Sequence, residues 1–146
     1  MSEQNSRTTS GASSRREFLK RSAAAVSVAG LAIGQSAHAA GSDVLKVGLI
    51  GCGGRGTGAA KNALDADPHV ELTALADAFP DRVERSLKLL GAEYADRVKV
   101  PQDRQFVGLD AYQKLIASGV DVVLLATPPA FRPLQMRAAV EAGKHV

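Results

Sequence analysis

The chain has 146 residues, of which 45% are hydrophobic and 23% charged, a composition that suits one globular domain. Its formal net charge of +3 comes from residues 1–39, which hold five Lys/Arg and two Asp/Glu, whereas residues 40–146 hold thirteen of each. A neutral folded part gives no reason to expect a nucleic-acid partner. The single cysteine, Cys52, excludes an internal disulfide, and without a second cysteine or a nearby histidine we expect no metal site.

The N-terminal segment resembles a twin-arginine export signal. Arg15 and Arg16 precede Phe-Leu-Lys within two residues, an apolar run covers 23–37, and Ala-His-Ala ending at Ala39 has the form of a cleavage site. The apolar run is shorter than the ~20 residues that a membrane span needs. We therefore predict a signal peptide over 1–39, recognition of Arg15 and Arg16 by the twin-arginine export machinery, no stable membrane span, and a periplasmic or otherwise exported product cleaved near Ala39. The alternative is a basic amphipathic helix on a cytoplasmic protein.

A glycine cluster follows an apolar run at 45–50, which predicts a buried strand, and precedes a helix-forming segment at 57–66. Gly51, Gly53 and Gly56 fit the dinucleotide-binding pattern G-x-G-x-x-G. The first glycine allows a sharp turn, the second leaves the backbone open to a pyrophosphate, and the third lets helix and strand pack closely. The helix N-terminus then presents free N–H groups and its positive dipole end to the phosphates.

A second alignment of the cluster places Gly54, Gly56 and Ala59 at the three pattern positions. We prefer the first alignment because the apolar run ends at Ile50, directly before the first glycine. Gly54 stays a candidate cofactor contact. Arg55 either flanks the pyrophosphate or is a solvated residue at the start of the helix, and the sequence favours neither.

Asp77 ends the second predicted strand, 70–76, and lies 21 positions after the last pattern glycine. An acid there can accept hydrogen bonds from both hydroxyls of the adenosine ribose, whereas a 2′-phosphate would meet like charge. The position therefore favours NAD over NADP as the cofactor, and Arg82 and Arg85 could soften the discrimination. Asp77 could instead serve as the N-cap of a helix that begins near Pro80, and both roles can hold together.

The rest of the chain continues the alternation of strands and helices. The predicted elements after residue 77 are helices at 80–90, 109–118 and 131–142, and strands at 97–100 and 121–126. We expect Gly91 to stop the first of these helices, and Leu134, Ala138 and Ala142 to form the buried face of the last.

Strands that alternate with helices indicate a parallel sheet with right-handed crossovers. We therefore predict an α/β fold with a Rossmann-type doubly wound parallel sheet, in which the first and fourth strands are adjacent. A further strand begins near residue 143 and is cut off. From this we expect 40–146 to be an incomplete N-terminal dinucleotide-binding domain of a longer protein.

Several stretches together resemble the glucose-fructose oxidoreductase / inositol dehydrogenase (Gfo/Idh/MocA) family. They are the glycine turn at 47–56, the turn at Asp77, the strand and turn at 121–128, and the helix with its Gly-Lys-His-Val ending at 138–146. The resemblance covers nearly all of 45–146, and the Gly-Lys-His-Val ending is more specific than the glycine pattern.

The resemblance implies further site residues. Thr127 and Pro128 would border the nicotinamide side of the cofactor, while Pro129 stands where the family often has asparagine. The family's ending leads into a Glu-Lys-Pro motif whose lysine serves catalysis, which lies beyond Val146. The family's second α/β domain, which carries most substrate contacts, is absent from this chain too. We therefore assign no catalytic residue to this chain.

The resemblance implies an exported oxidoreductase that transfers hydride between NAD and a sugar, polyol or related carbohydrate. Two alternatives are an NAD-dependent glycosidase or lyase of the same family and a non-catalytic nucleotide-binding fragment. Enzyme activity of the fragment itself stays open, whereas the full-length protein is expected to be an NAD(P)-dependent oxidoreductase. A homo-oligomer of the full-length protein fits the same expectation.

Overall fold

The computed structural model describes residues 44–146. The predicted signal peptide, with Arg15, Arg16 and Ala39, lies outside the described residues. The described elements, in chain order, are β1 (Leu45–Ile50), α1 (Gly54–Ala66), β2 (Val70–Asp77), α2 (Pro80–Glu93), a 3-10 helix (Gln102–Arg104), β3 (Gln105–Val107), α3 (Ala111–Ala117), β4 (Val122–Leu125) and α4 (Arg132–Glu141).

The strands form one parallel sheet in the order β3-β2-β1-β4. The central strand β1 pairs with β2 on one side and with β4 on the other, which confirms the predicted neighbours. One core packs α1 and α2 against the first face of the sheet, through residues such as Leu64 and Val83. A second core packs α3 and α4 against the opposite face, through residues such as Leu115 and Ala139. The fold is therefore the predicted doubly wound sheet.

The pairing of β1 with β2 contains an irregularity. Val47 pairs with Leu72, whereas Gly48 pairs with Ala74, so β2 carries one extra residue, Thr73. The Thr73 hydroxyl is buried and has no hydrogen-bond partner among residues 44–146. Extra residues of this kind bend and twist a strand locally and leave polar groups unpaired.

The third strand lies later in the chain than predicted. Within 97–100, Val98 forms only an isolated parallel bridge with Leu72, while the strand itself is Gln105–Val107. Pro101 precedes the 3-10 helix between the two segments and has no N–H to continue a ladder. The edge of β2 is thus paired in two pieces. The prediction of a strand at 97–100 was wrong because both pieces are too short to carry a clear alternation of apolar residues.

Two predictions about helices were also wrong. Gly91 does not stop α2, which continues to Glu93 because a single glycine costs a helix only about 1 kcal/mol. In α4 the buried residues are Gln135 and Ala139, whereas Leu134 is 50% exposed. Apolar side chains occur on every side of α4, so the spacing could not identify its buried face.

The chain beyond α4 returns to the sheet. The Val123 N–H donates to the His145 carbonyl at 2.8 Å, and the His145 N–H donates to the Asp121 carbonyl at 3.1 Å. These bonds place His145 beside β4 in a parallel bridge, as expected for a strand that begins near residue 143. No helix within residues 44–146 is long and apolar enough to cross a membrane.

Candidate functional site

A cleft of about 630 Å³ opens at the carboxyl ends of β1, β2 and β4. In open α/β sheets, ligands bind at this edge, where the strand order reverses between the first and fourth strands. Six of the eight predicted site residues line the cleft: Gly51, Gly53, Arg55, Asp77, Thr127 and Pro128. Of the other polar residues of its wall, sequence reasoning named Arg82 only as a possible influence on the choice of cofactor and did not assign Tyr112, Arg132 and Gln135 to the site.

Gly51 makes the turn at the end of β1. Its φ is +96°, which L side chains rarely adopt, and an added Cβ would lie 2.8 Å from the Ala126 carbonyl carbon. Its N–H donates to the Ala76 carbonyl at 2.8 Å, so the turn stays attached to β2. Glycine is therefore required here by both conformation and space.

Gly56 packs α1 onto the turn. An added Cβ at Gly56 would lie 1.8 Å from the Gly51 carbonyl oxygen, far inside contact distance. Gly54, by contrast, has no atom within 4 Å of an added Cβ and lines a separate groove between α1 and α2. These contacts match the first alignment of the glycine pattern, in which the first glycine turns and the third allows close packing. Gly56 therefore acts beneath the cleft, and Gly54 lies outside it.

The N-terminus of α1 is open to a ligand. Its N-cap residue is Gly53, no side chain caps the helix, and its first turn contains no acidic residue. The first N–H groups of a helix have no partners within the helix, and together with the helix dipole they favour an anion. Because Gly53 has no side chain and Arg55 also lines the cleft, this wall fits a pyrophosphate.

Asp77 connects the glycine turn to the loop after β2. Its Oδ2 accepts a hydrogen bond from the Cys52 N–H at 2.7 Å, and its Oδ1 accepts one from the Phe79 N–H at 3.1 Å. The N-cap residue of α2 is Phe79, so Asp77 is not the predicted N-cap and instead bonds the cap residue's N–H. An ionised carboxylate has about four acceptor sites, so two acceptor sites remain for the hydroxyls of a ribose.

Cys52 is a packed residue of the turn. The pKa of its thiol is raised to about 12, mainly by burial and also by the nearby Asp77, while the hydrogen bond to the Ala76 carbonyl lowers it. The thiol therefore stays neutral near pH 7, and it is free of any disulfide. Within residues 44–146 there is no group of three or more His, Cys, Asp or Glu side chains that could hold a metal ion.

The rim of the cleft is rich in arginine. Arg55, Arg82 and Arg132 line it together with a single carboxylate, Asp77. The Arg82 guanidinium lies 5.2 Å from the centre of the Phe79 ring, so the two side chains support each other at the rim. The excess of positive charge favours a polyanionic ligand such as a diphosphate.

Thr127 and α4 form the wall on the β4 side. The Thr127 hydroxyl donates to Gln135 Oε1 at 2.6 Å, and the Thr127 carbonyl accepts from Arg132 Nε at 2.7 Å. Pro128 follows Thr127 in the same wall. Gln135 is a polar residue on the buried face of α4. It could have been identified from the sequence only if that buried face had been known.

Comparisons with known proteins agree with this geometry. A family model described as an oxidoreductase family with an NAD-binding Rossmann fold (Gfo/Idh/MocA) matches residues 45–146. A protein of Shewanella amazonensis named as a glycosyl hydrolase family 109 protein is 36% identical, over 90% of this chain and 32% of its own length. The chain thus spans about a third of that relative.

Two solved structures share the fold. The scyllo-inositol dehydrogenase of Lactobacillus casei, with bound NAD(H) and scyllo-inositol, is 26% identical at a TM-score of 0.55, covering 70% of this chain and 27% of that one. A variant 3-ketoreductase of Actinomadura kijaniata, in complex with TDP-benzene and NADP, is 30% identical at a TM-score of 0.52, covering 70% of this chain and 29% of that one. Structures similar to this chain therefore bind either form of the cofactor.

Proposed function

The chain belongs to the Gfo/Idh/MocA oxidoreductase family with its NAD-binding Rossmann fold, and from that premise we propose that it is the NAD-binding part of an exported oxidoreductase. The proposed reaction is hydride transfer between NAD and a sugar, polyol or related carbohydrate. The observation that carries the proposal is the bond from the Cys52 N–H to Asp77, which joins the glycine turn and the ribose-recognising acid in one cleft.

We propose that the two ends of the cleft bind different parts of the cofactor. The Gly53 backbone, the start of α1 and Arg55 hold the pyrophosphate, Asp77 accepts from the adenosine ribose, and Thr127 borders the nicotinamide. The bound cofactor supplies the chemistry by exchanging hydride with a substrate C–H bond. The residues of this chain bind and orient it and shield it from water.

We propose NAD as the preferred cofactor because Asp77 stands where the 2′-phosphate of NADP would lie. The backbone N–H groups of Cys52 and Phe79 donate to its carboxylate and hold it in position. Arg82 lines the same cleft, and its positive charge reduces the repulsion between Asp77 and a 2′-phosphate. It does not replace the hydrogen bonds that Asp77 accepts from the ribose hydroxyls of NAD. Titrating the purified protein with NADH and NADPH, by the increase of nicotinamide fluorescence, tests this preference. Tighter binding of NADPH would refute it.

A second candidate is redox-assisted glycoside cleavage, with no net change of the cofactor. The relative of Shewanella amazonensis and a 34% identical protein of Bacteroides fragilis are both named as glycosyl hydrolase family 109 proteins. The solved inositol dehydrogenase favours the first candidate instead. Incubating the full-length protein with chromogenic glycosides and with inositols distinguishes glycoside cleavage from dehydrogenation. Release of the aglycone without net NADH indicates cleavage, whereas net NADH from an inositol indicates dehydrogenation.

We also propose that residues 1–39 direct export by the twin-arginine pathway, with cleavage near Ala39. The order of a paired arginine, an apolar run and a small-x-small site supports this. Replacing Arg15 and Arg16 by lysine keeps the charge and should retain the protein in the cytoplasm. The mass of the exported product should place its first residue next to Ala39. Normal export of the double-lysine variant would refute the twin-arginine assignment.

A further inference from the structure

Gln135 has unused hydrogen-bonding capacity in the wall of the cleft. Its side chain is 7% exposed, and its Oε1 is occupied by the Thr127 hydroxyl at 2.6 Å. Among the described residues its Nε2 group has no hydrogen-bond partner, yet it is not sealed from solvent. The Nε2 donor therefore lies in the wall of the cleft and is open to a ligand that carries a hydrogen-bond acceptor.

The position of Gln135 identifies which part of the ligand it meets. A dinucleotide lies across the point where the strand order reverses, with one half on each side of β1. Asp77, at the end of β2, marks the adenosine side. Thr127 and Gln135, beyond the end of β4, lie on the opposite side and therefore face the nicotinamide half.

The contacts around Gln135 tie its side chain to the segment after β4. The Thr127 hydroxyl donates to Oε1 at 2.6 Å and Arg132 Nε donates to the Thr127 carbonyl at 2.7 Å, so Nε2 is the end of the amide that this bond leaves free. Ala138 and Ala139 occupy the next turn of α4, so apolar packing surrounds the stem of the side chain. A leucine would fill this position equally well if packing were the whole role.

We propose that Gln135 is a cofactor-binding residue whose Nε2 donates to the carboxamide oxygen of the nicotinamide ring. This inference rests on the proposed function, since it requires NAD in the cleft. The bond would limit rotation of the ring about its link to the ribose, so Gln135 would help to orient the ring toward the substrate. The residue recognises the nicotinamide and leaves adenosine recognition to Asp77.

The test compares NADH with ADP-ribose, which lacks the nicotinamide ring, on the same chain. Dissociation constants come from NADH fluorescence and from competition by ADP-ribose. Gln135→Leu and Gln135→Met both remove the amide without adding a charge, and methionine also keeps the length of the glutamine side chain. The matched control is Gln102→Leu, an exposed glutamine of the 3-10 helix outside the cleft.

We expect both Gln135 variants to bind NADH about tenfold more weakly, while ADP-ribose binding changes by less than about twofold. Gln102→Leu should match the unmodified chain for both ligands. If Gln135→Leu fails to fold by circular dichroism, Gln135→Met decides the question. Equal weakening of both ligands, or no weakening, would overturn the role of Gln135. Failure of the unmodified chain to bind either ligand would instead refute the proposed function, and the inference with it.

Discussion

Replacing Asp77 by alanine should affect both the fold and the choice of cofactor. The substitution removes the acceptor for the Cys52 N–H at 2.7 Å and for the Phe79 N–H at 3.1 Å. A hydrogen bond to a charged group contributes about 1.5–3 kcal/mol. The Cys52 bond is buried and the Phe79 bond is partly exposed, so we expect a total loss of about 3–5 kcal/mol. That is a large share of the ~5–15 kcal/mol that holds a domain together.

The same substitution should weaken NAD binding by about tenfold or more, because the ribose hydroxyls lose a charged acceptor. NADP binding is also weakened, because the glycine turn is no longer held by Asp77. The variant, however, no longer repels the 2′-phosphate, and this loss of repulsion strengthens NADP binding. The ratio of the two affinities should therefore narrow even where both fall. This ratio, measured by fluorescence titration with NADH and NADPH, separates ribose recognition from a purely structural role.

The control is Asp96→Ala, which removes an exposed carboxylate outside the cleft. It should leave both the unfolding midpoint in urea and the cofactor ratio unchanged. Asp77→Asn, which keeps one acceptor oxygen, should lie between the alanine variant and the unmodified chain in stability. An Asp77→Ala protein with a lower midpoint but the original NADH/NADPH ratio would refute ribose recognition and leave Asp77 as a structural tie.

Gly56→Ala should destabilise the chain by about 3 kcal/mol or more, because the new Cβ would meet the Gly51 carbonyl oxygen; Gly58→Ala, with open space around the new methyl group, should gain up to about 1 kcal/mol in the same urea titration. The Cys52 thiol should not react with a thiol reagent at pH 8 until urea unfolds the chain, and its modification in the folded state would contradict its burial. Because the pKa of the Cys52 thiol is raised in the folded chain, its contribution to the free energy of unfolding is fully present below pH 9.0. This contribution should be lost as the pH rises toward about 12, since the thiol of the unfolded chain ionises first. A free energy of unfolding that stays constant across that range would contradict the assignment. If the protein is exported already folded, it should purify with NAD or NADH bound, since free cofactor is scarce outside the cytoplasm; a clearly substoichiometric nucleotide yield after denaturation, with activity that needs added NAD, would exclude retention.

The parts of the fold that could be predicted are those that only one residue type, or one simple local pattern, can form. Gly51 needs a positive φ and Gly56 needs the absence of a Cβ, and only glycine satisfies either, so the pattern is visible in the sequence. The strands near 45–50 and 121–126 are mostly apolar runs, interrupted only by Lys46 and Asp121, as expected for strands covered on both faces. The parallel sheet follows from their alternation with helices.

The parts that could not be predicted depend on contacts between distant segments. The segment around Val98 and the strand Gln105–Val107 are both defined by bonds to β2, and neither has a local pattern of its own. The bond between the Cys52 N–H and Asp77 spans 25 positions, so no local motif could show it. Gln135 was missed because the apolar side chains of α4 are spread around the helix, and only the packed structure shows which side is covered.

The extra residue in β2 has a consequence for how this protein should be aligned with others. Side chains alternate along a strand, yet Leu72 and Leu75 share one core because Thr73 adds a residue between them. Asp77, two residues after Leu75, therefore points to the α1 side, where it meets the Cys52 N–H. Without Thr73 the strand would alternate regularly from Leu72 to Asp77, since Ala74 and the residues after it already pair one for one with β1, and the carboxylate would stay on the α1 side. A homologue that lacks the extra residue can therefore keep its acid in the alignment column of Asp77, although the acid then follows the last pattern glycine by 20 positions and not by the 21 found here, so a search with a fixed spacing would miss it.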